Sequence, residues 1–335
     1  MRTRDLEITI GELEPGTHDA ITDVEGVRVG HTTVLAGDDV RTGVTIVVPP
    51  ELPLFAGCHR LNGNGELTGL EWVRESGLLT TPIGITNTFS VGVVRDAIAA
   101  ESAEDGDWAL PVVGETYDGF LNDAKGQHVT AEHARRALAE AKGGDVAEGS
   151  VGGGTGMICH GFKGGIGTAS RRAGDHVVGV LVQANHGRRS RFRVNGVPVG
   201  EAIGERIPQP NYDDAGSIIG IVATDAPLLP HQCDRLAQRA CLGVARVGGL
   251  GENSSGDLFF AFASGNRALD GTTGTLNVSM LPNEQIDPLF EAVVDATEEA
   301  ILNALLAAET MTGRAGHAAH ALDPALLLEA LSTRA

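Results

Sequence analysis

Positive charge is scarce in this sequence, with 25 Lys and Arg against 44 Asp and Glu and a net charge of −19. That imbalance excludes nucleic acid and anionic membrane as main partners, because both need a basic footprint to neutralise phosphates. No apolar run is long enough to span a bilayer, and residues 1–10 hold two arginines without an apolar core, which points to a cytoplasmic protein. Cysteine is equally sparse. Cys58, Cys159, Cys233 and Cys241 lack paired spacing and read as free thiols, since a chain of 335 residues can bury a core without disulfide staples. The eleven histidines contain no His-Glu-x-x-His pairing, so neither metal nor cofactor is expected. Linkers, charge blocks and fixed-period repeats are lacking too, which leaves one domain over 1–335.

What the sequence does have is short apolar runs at 43–48, 84–86, 177–182, 217–222 and 258–263. They are bounded by turn residues in the manner of strands buried on both faces. Helical patterns lie between them at 130–142, 230–244 and 287–309. The class is mixed α/β, with helices covering sheets. Many of the 46 glycines gather at 63–65, 149–167 and 248–256, where backbone must turn tightly or approach other groups closely. The run Gly152-Gly153-Gly154-Thr155-Gly156 is followed by Met157, which breaks a dinucleotide fingerprint. Gly161-Phe162-Lys163-Gly164 lacks the hydroxyl residue of a phosphate loop, so close packing of crossing backbones explains these glycines better.

Three local features admit chemistry without demanding it. Ser254-Ser255-Gly256-Asp257 precedes a buried strand, where a small-flanked serine hydroxyl is sterically open to a carbonyl, but the same residues also make an ordinary turn. Val112-Val113-Gly114-Glu115-Thr116-Tyr117 ends an apolar run in a carboxylate and one of only two tyrosines. Tyr117 reads equally as a donor near a reaction centre and as a satisfied core tyrosine. Asn185, closing the strand at 177–182, could cap a turn or donate to a developing oxyanion.

Together these segments resemble the L-aminopeptidase/D-esterase and β-aminopeptidase family of N-terminal-nucleophile-type hydrolases. The resemblance extends in order through Ile21-Thr22-Asp23-Val24, Arg41-Thr42-Gly43-Val44-Thr45, Glu115 to Gly119, Lys163 to Arg171, Thr224-Asp225-Ala226-Pro227, the Ser255 segment and Thr297-Glu298-Glu299-Ala300. It implies a four-layer αββα sandwich, self-cleavage at the Ser254–Ser255 bond into 1–254 and 255–335, and subunits that stay associated in a homo-oligomer. It also implies an aminopeptidase, amidase or esterase acting on small peptides, amino-acid amides or esters with a free amine.

In that picture Ser255 is the nucleophile, and its freed α-amino group, with a reference pKa of about 7.7 to 8.0, is the adjacent base. Asn185 and Tyr117 match oxyanion donors, Glu115 the carboxylate facing the substrate amine, and Thr297 and Glu299 groups that orient the nucleophile. The last two lie roughly 200° apart on one helix, so both reach one site only if the helix starts or bends near Thr297. Two alternatives remain at this point: an acyltransferase resembling ornithine acetyltransferase, disfavoured by serine in place of threonine, and a non-catalytic ligand-binding relative.

Overall fold

The computed structural model describes residues 1–104, 108–211, 216–270 and 274–332. Its strands and α-helices, in chain order, are β1 (Arg28–Ala36), β2 (Val40–Val48), β3 (Leu54–Arg60), α1 (Leu70–Ser76), β4 (Leu78–Leu79), β5 (Ile83–Asn87), α2 (Val91–Glu104), β6 (Val112–Thr116), α3 (Ala131–Ala139), β7 (Ile158–Cys159), β8 (Phe162–Lys163), β9 (Gly165–Ala173), β10 (His176–His186), α4 (Val199–Ile203), β11 (Gly216–Thr224), α5 (Pro230–Arg246), β12 (Asp257–Ala263), α6 (Asp287–Ala307), β13 (Met311–Thr312), β14 (Ala318–Ala319) and α7 (Pro324–Ser332). One sheet runs β1-β2-β5-β6 and a larger one β4-β3-β12-β11-β10-β9, while β7 and β8 pair apart. Pairing is antiparallel except for β5 with β6 and β11 with β12. Among the described residues no helix is long and apolar enough to cross a membrane.

Alternation along β11 shows how the layers stack. Ile219 and Ile221 enter a core shared with Val47, Ile85 and Val112 of the other sheet. Ile218 and Val222 face the opposite way, into a core with Leu236 and Ala240 of α5 and Ala296 and Ala300 of α6. A third core joins Val44 and Ile46 to Val94 and Ile98 of α2 and Ala134 and Ala137 of α3. Helices therefore cover the outer face of both sheets, giving the expected αββα sandwich. The two-faced burial of β11 explains why its sequence is an unbroken apolar run.

Glycine lets the layers close. An added Cβ would lie 1.9 Å from the Ala137 carbonyl oxygen at Gly30, 2.3 Å from the Asp234 backbone nitrogen at Gly57, and 1.9 Å from the Ala300 carbonyl oxygen at Gly167. Each is a point where a covering helix touches its strand. The run at 152–154 threads between the sheets: a Cβ at Gly153 would meet the Gln183 side-chain oxygen at 2.2 Å, and one at Gly154 the Ile166 nitrogen at 2.4 Å. The close-packing reading of these glycines holds.

α6 is a single helix buried on nearly every side. The N-terminal segment clamps it to β9 through charges. Buried Arg171 ion-pairs with Glu299 and lies 3.5 Å from Asp19, the Thr3 hydroxyl donates to Glu299 at 2.6 Å, and Arg4 pairs with Asp19 at 2.7 Å. Burial pushes Glu299 upward, but Arg171, Thr3 and Arg4 hold it below its ordinary value. We expect Gly167→Ala to force α6 off the sheet and cost about 3 kcal/mol, at the upper end for overpacking, read as a lowered urea midpoint at unchanged slope.

Candidate active site

The parallel pairing of β11 and β12 sets two serines side by side at the strand heads. Ile218 is in register with Asp257, so Ser217 sits beside Gly256, and the Gly256 N–H donates to the Ser217 hydroxyl oxygen at 2.9 Å. On the other side Ser217 is in register with Asn185 of β10. Pleat parity turns Ser217 toward the inter-sheet face with Ile219 and Ile221, whereas Asp257 shares the helix-facing parity of Phe259 and Ala261.

A cavity of about 690 Å³ opens at these strand heads. Its lining includes Glu115, Tyr117, Gly216, Ser217, Ser254 and Thr88. Ser255 is not among the lining residues. It is 1% exposed and its hydroxyl donates to Asp257 at 2.6 Å. Burial pushes the Asp257 carboxyl up to about 6 against the opposing hydrogen bond from Ser255. Ser217 and Ser254 both line the cavity, and the buried Ser255 lies between Ser254 and Gly256 in the chain. The Ser217 hydroxyl accepts from the Gly256 N–H and so holds the backbone next to Ser255, a part that its place as the first residue of an apolar run does not reveal.

The peptide bond before Ser217 has its own constraints. Gly216 adopts φ +68°, and an added Cβ would lie 1.7 Å from the Asn185 carbonyl oxygen and 3.3 Å from its side-chain nitrogen, so only glycine fits. Asn185 is itself fixed: its side-chain oxygen accepts from the Ile158 N–H at 2.7 Å and its nitrogen donates to the Tyr117 carbonyl at 3.1 Å. Tyr117 is 37% exposed, a cavity-wall residue rather than a core tyrosine.

Glu115 is buried and accepts from the Glu66 N–H at 2.9 Å and from the Thr88 hydroxyl. Burial raises its carboxyl above the usual range, opposed by those two hydrogen bonds. A Cβ at Gly65 would lie 3.1 Å from Gly256 and 3.2 Å from Glu115, which places the carboxylate one glycine away from the strand heads. Ser217, Asn185, Tyr117 and Glu115 are therefore brought together.

Thr297 and Glu299 are not. The Thr297 hydroxyl donates to Val293 of its own helix at 2.7 Å, and its side chain packs on Gly243 of α5. Glu299 belongs to the Arg171 clamp. Arg171 aligns through Val178 and Thr224 with Ala263, the end of β12 remote from Ser255. That end is about 25 Å along the strands and about 14 Å across them. Because α6 neither starts nor bends near Thr297, the 200° between the two residues sends them to different neighbours.

Among the described residues, Cys159, His160 and His186 form one buried group with metal-ligating atoms within 4.8 Å of one another. Burial pushes the Cys159 thiol up to about 12 and His160 down to about 4, so these groups stay neutral.

With this geometry in place, the comparisons with known proteins can be read. A beta-aminopeptidase from Burkholderia sp. superposes with a TM-score of 0.95 at 55% identity, covering 99% of both chains. The L-aminopeptidase D-Ala-esterase/amidase of Ochrobactrum anthropi, described as a prototype for the serine aminopeptidases and a variant of the Ntn hydrolase fold, superposes at 0.93 with 41% identity over 99% of this chain and 98% of its own. The beta-peptidyl aminopeptidase BapA of Sphingosinicella microcystinivorans is 46% identical over 97% of this chain and 90% of its own length. Fold and site thus define a hydrolase of the aminopeptidase class on an Ntn-type αββα scaffold. The match to Peptidase family S58 spans residues 19–319, and the chain belongs to that family. The acyltransferase and non-catalytic alternatives gain nothing from these matches.

The placements of Thr297 and Glu299 give a direct check. Thr297→Val should leave turnover within about twofold of wild type, whereas Glu299→Ala strands Arg171 and should cost about 3 to 5 kcal/mol of stability. A loss of turnover in Thr297→Val at wild-type Tm would return that residue to the site.

Proposed function

We propose that this aminopeptidase removes small N-terminal residues from peptides, amides or esters with a free amine, through an acyl-enzyme on Ser255 freed by self-cleavage at Ser254–Ser255. The observation that carries the reading is the Ser254 carbonyl, which accepts from the Asn64 side chain at 2.7 Å at the wall of a cavity that also holds Glu115 and Tyr117. A hydroxyl attacking its own preceding carbonyl needs a donor for the oxyanion that forms there, and the Asn64 amide supplies it. The Ser255 hydroxyl donates to the Asp257 carboxyl at 2.6 Å, beside the bond that is cut. After cleavage the new α-amino group is the base closest to the hydroxyl. Ser217 acts here as a positioning residue that holds the Gly256 N–H.

A second reading, in which Ser217 is the nucleophile freed at Gly216–Ser217, has one observation in its favour: Ser217 lines the cavity, whereas Ser255 is buried in the uncut chain. Glu115 receives the substrate's ammonium in both versions, and Asn185 and Tyr117 donate to the oxyanion. A homo-oligomer in a reducing cytoplasm completes the proposal, supported by the exposed Leu242 and Leu250 and by four cysteines that are free thiols.

Intact mass of the denatured protein separates the two versions. We expect fragments 1–254 and 255–335, whereas fragments 1–216 and 217–335 would establish Ser217 instead. Ser255→Ala should run as the full chain and turn over no aminoacyl p-nitroanilide. Asn185→Ala in processed enzyme should lower kcat about 10²-fold or more, the usual cost of one oxyanion donor.

The pH profile carries a separate expectation. Burial pushes the Asp257 carboxyl up to about 6 from the 3.8 of a free side chain, so the folded protein binds the extra proton between those values and stability falls as pH rises through that window. If its ionised form orients the strand heads, activity should instead rise through about pH 6, and Asp257→Asn should flatten that limb. An unchanged limb in the variant would remove Asp257 from the mechanism.

A further inference from the structure

A second cavity, of about 500 Å³, adjoins the first and shares Gly65, Glu66 and Thr68 with it. Its walls combine Leu67, Leu70, Trp72 and Leu258 with the guanidinium groups of Arg60, Arg74 and Arg95. Two of those cations are engaged locally, Arg74 with Glu71 and Arg95 with Asp96 at 2.9 Å. Among the described residues, no carboxylate ion-pairs with Arg60. On a protein of net charge −19, an arginine without a carboxylate partner at the wall of a cavity is the place where an anionic group is best received.

The charges are polarised along the joined cavities. Glu115 lies at one end, with the Glu66 charge near enough to push its carboxyl up further. Arg60 lies at the other. Arg60 is in register with Leu258 of β12, so it is one strand from Ser255 and three residues farther along. At ordinary strand spacings the two Cα atoms are about 11 Å apart. The arginine side chain covers roughly half of that, and each residue of an extended peptide covers about 3.5 Å.

Resting on the aminopeptidase reading above, we propose that this second cavity binds the leaving portion of the substrate and that Arg60 recognises its terminal carboxylate. The substrates so selected are di- and tripeptides, with one or two residues after the bond that is cut. The planar guanidinium suits a carboxylate through two parallel hydrogen bonds, and the Leu67, Leu70 and Leu258 wall accepts an apolar leaving side chain. The result is a site that reads both ends of a short zwitterion, ammonium at Glu115 and carboxylate at Arg60. Longer chains and amidated peptides lose the second contact.

Trp72 lines this cavity and packs edge-on against Trp108, with ring centroids 5.3 Å apart, and these are the only two tryptophans in the sequence. Intrinsic fluorescence therefore reports occupancy without any catalytic step. N-acetylalanine, which carries the carboxylate but no free amine and so is not turned over, should shift the tryptophan emission of the full-length protein, while its C-terminal amide should do so only at concentrations about tenfold higher. Arg60→Gln should abolish that difference and Arg60→Lys should keep part of it. In kinetics, kcat/KM for a small tripeptide acid should exceed that for the tripeptide amide about tenfold in wild type, mainly through KM, and the ratio should fall to about one in Arg60→Gln. Equal response to acid and amide in wild type, or a preference surviving in Arg60→Gln, overturns the proposal. Failure to turn over any p-nitroanilide would sink the aminopeptidase mechanism instead, with the fluorescence comparison still deciding the carboxylate site.

Discussion

The parallel register of β11 and β12 is the constraint on which the site depends. Two parallel neighbours must begin at the same end of the sheet, so the segments leading into them arrive together. Here that places Ser217 against Gly256 and allows a backbone N–H to hold the serine hydroxyl. The connection between them has to cross the sheet, and α5 does so while covering β3 and β12. The same helix that closes the outer layer thereby fixes where the strand heads meet. A register slip of one residue would turn Ser217 into the helix-facing core and Ile218 into the cavity.

The two sheets are held close enough for this by side chains and missing side chains together. Gln183 of β10 donates to the Thr86 carbonyl of β5 and to the Thr116 hydroxyl of β6, each at 2.8 Å. The glycine run at 152–154 passes through the gap beside it, where any Cβ would overlap Gln183, Thr45 or Ile166. This polar tie is completely buried and lies two residues from Asn185. The amide proposed as an oxyanion donor is therefore mounted on a constrained stretch of β10, which is what a preorganised dipole requires.

Much of the architecture was legible in the sequence because its periodicities are local. The helix expected at 230–244 occupies Pro230–Arg246 and that at 287–309 occupies Asp287–Ala307, while the run at 217–222 is the middle of β11. β9 was missed because its glycines, needed against α6 and Gly149, look like loop residues until their neighbours are known. The part played by Ser217 was not legible for a related reason: as the first residue of an apolar run it carries no mark of the Gly256 N–H it will hold, which only the strand register supplies. Glu299 shows the opposite limit: a carboxylate on a helix carries no mark in sequence that it will meet Arg171 rather than a substrate, since the two are 128 residues apart.

With Glu115 in its proposed role of receiving the substrate amine, electrostatics accounts for selectivity at that end. Glu115 is buried, and burial holds its carboxyl above the ordinary range. A cationic amine entering beside it favours the ionised form and draws the carboxyl back down, which releases a proton on binding where the group was protonated. Affinity for ammonium-bearing substrates must therefore strengthen as pH rises through the raised value and level off above it. A neutral, acylated amine cannot restore that charge. It would leave the ionised carboxylate buried and uncompensated, a penalty imposed on the wrong substrate rather than a reward given to the right one. Thr88 and the Glu66 N–H stabilise the carboxylate enough to keep it poised between these states, so discrimination rests on the balance between burial and two hydrogen bonds.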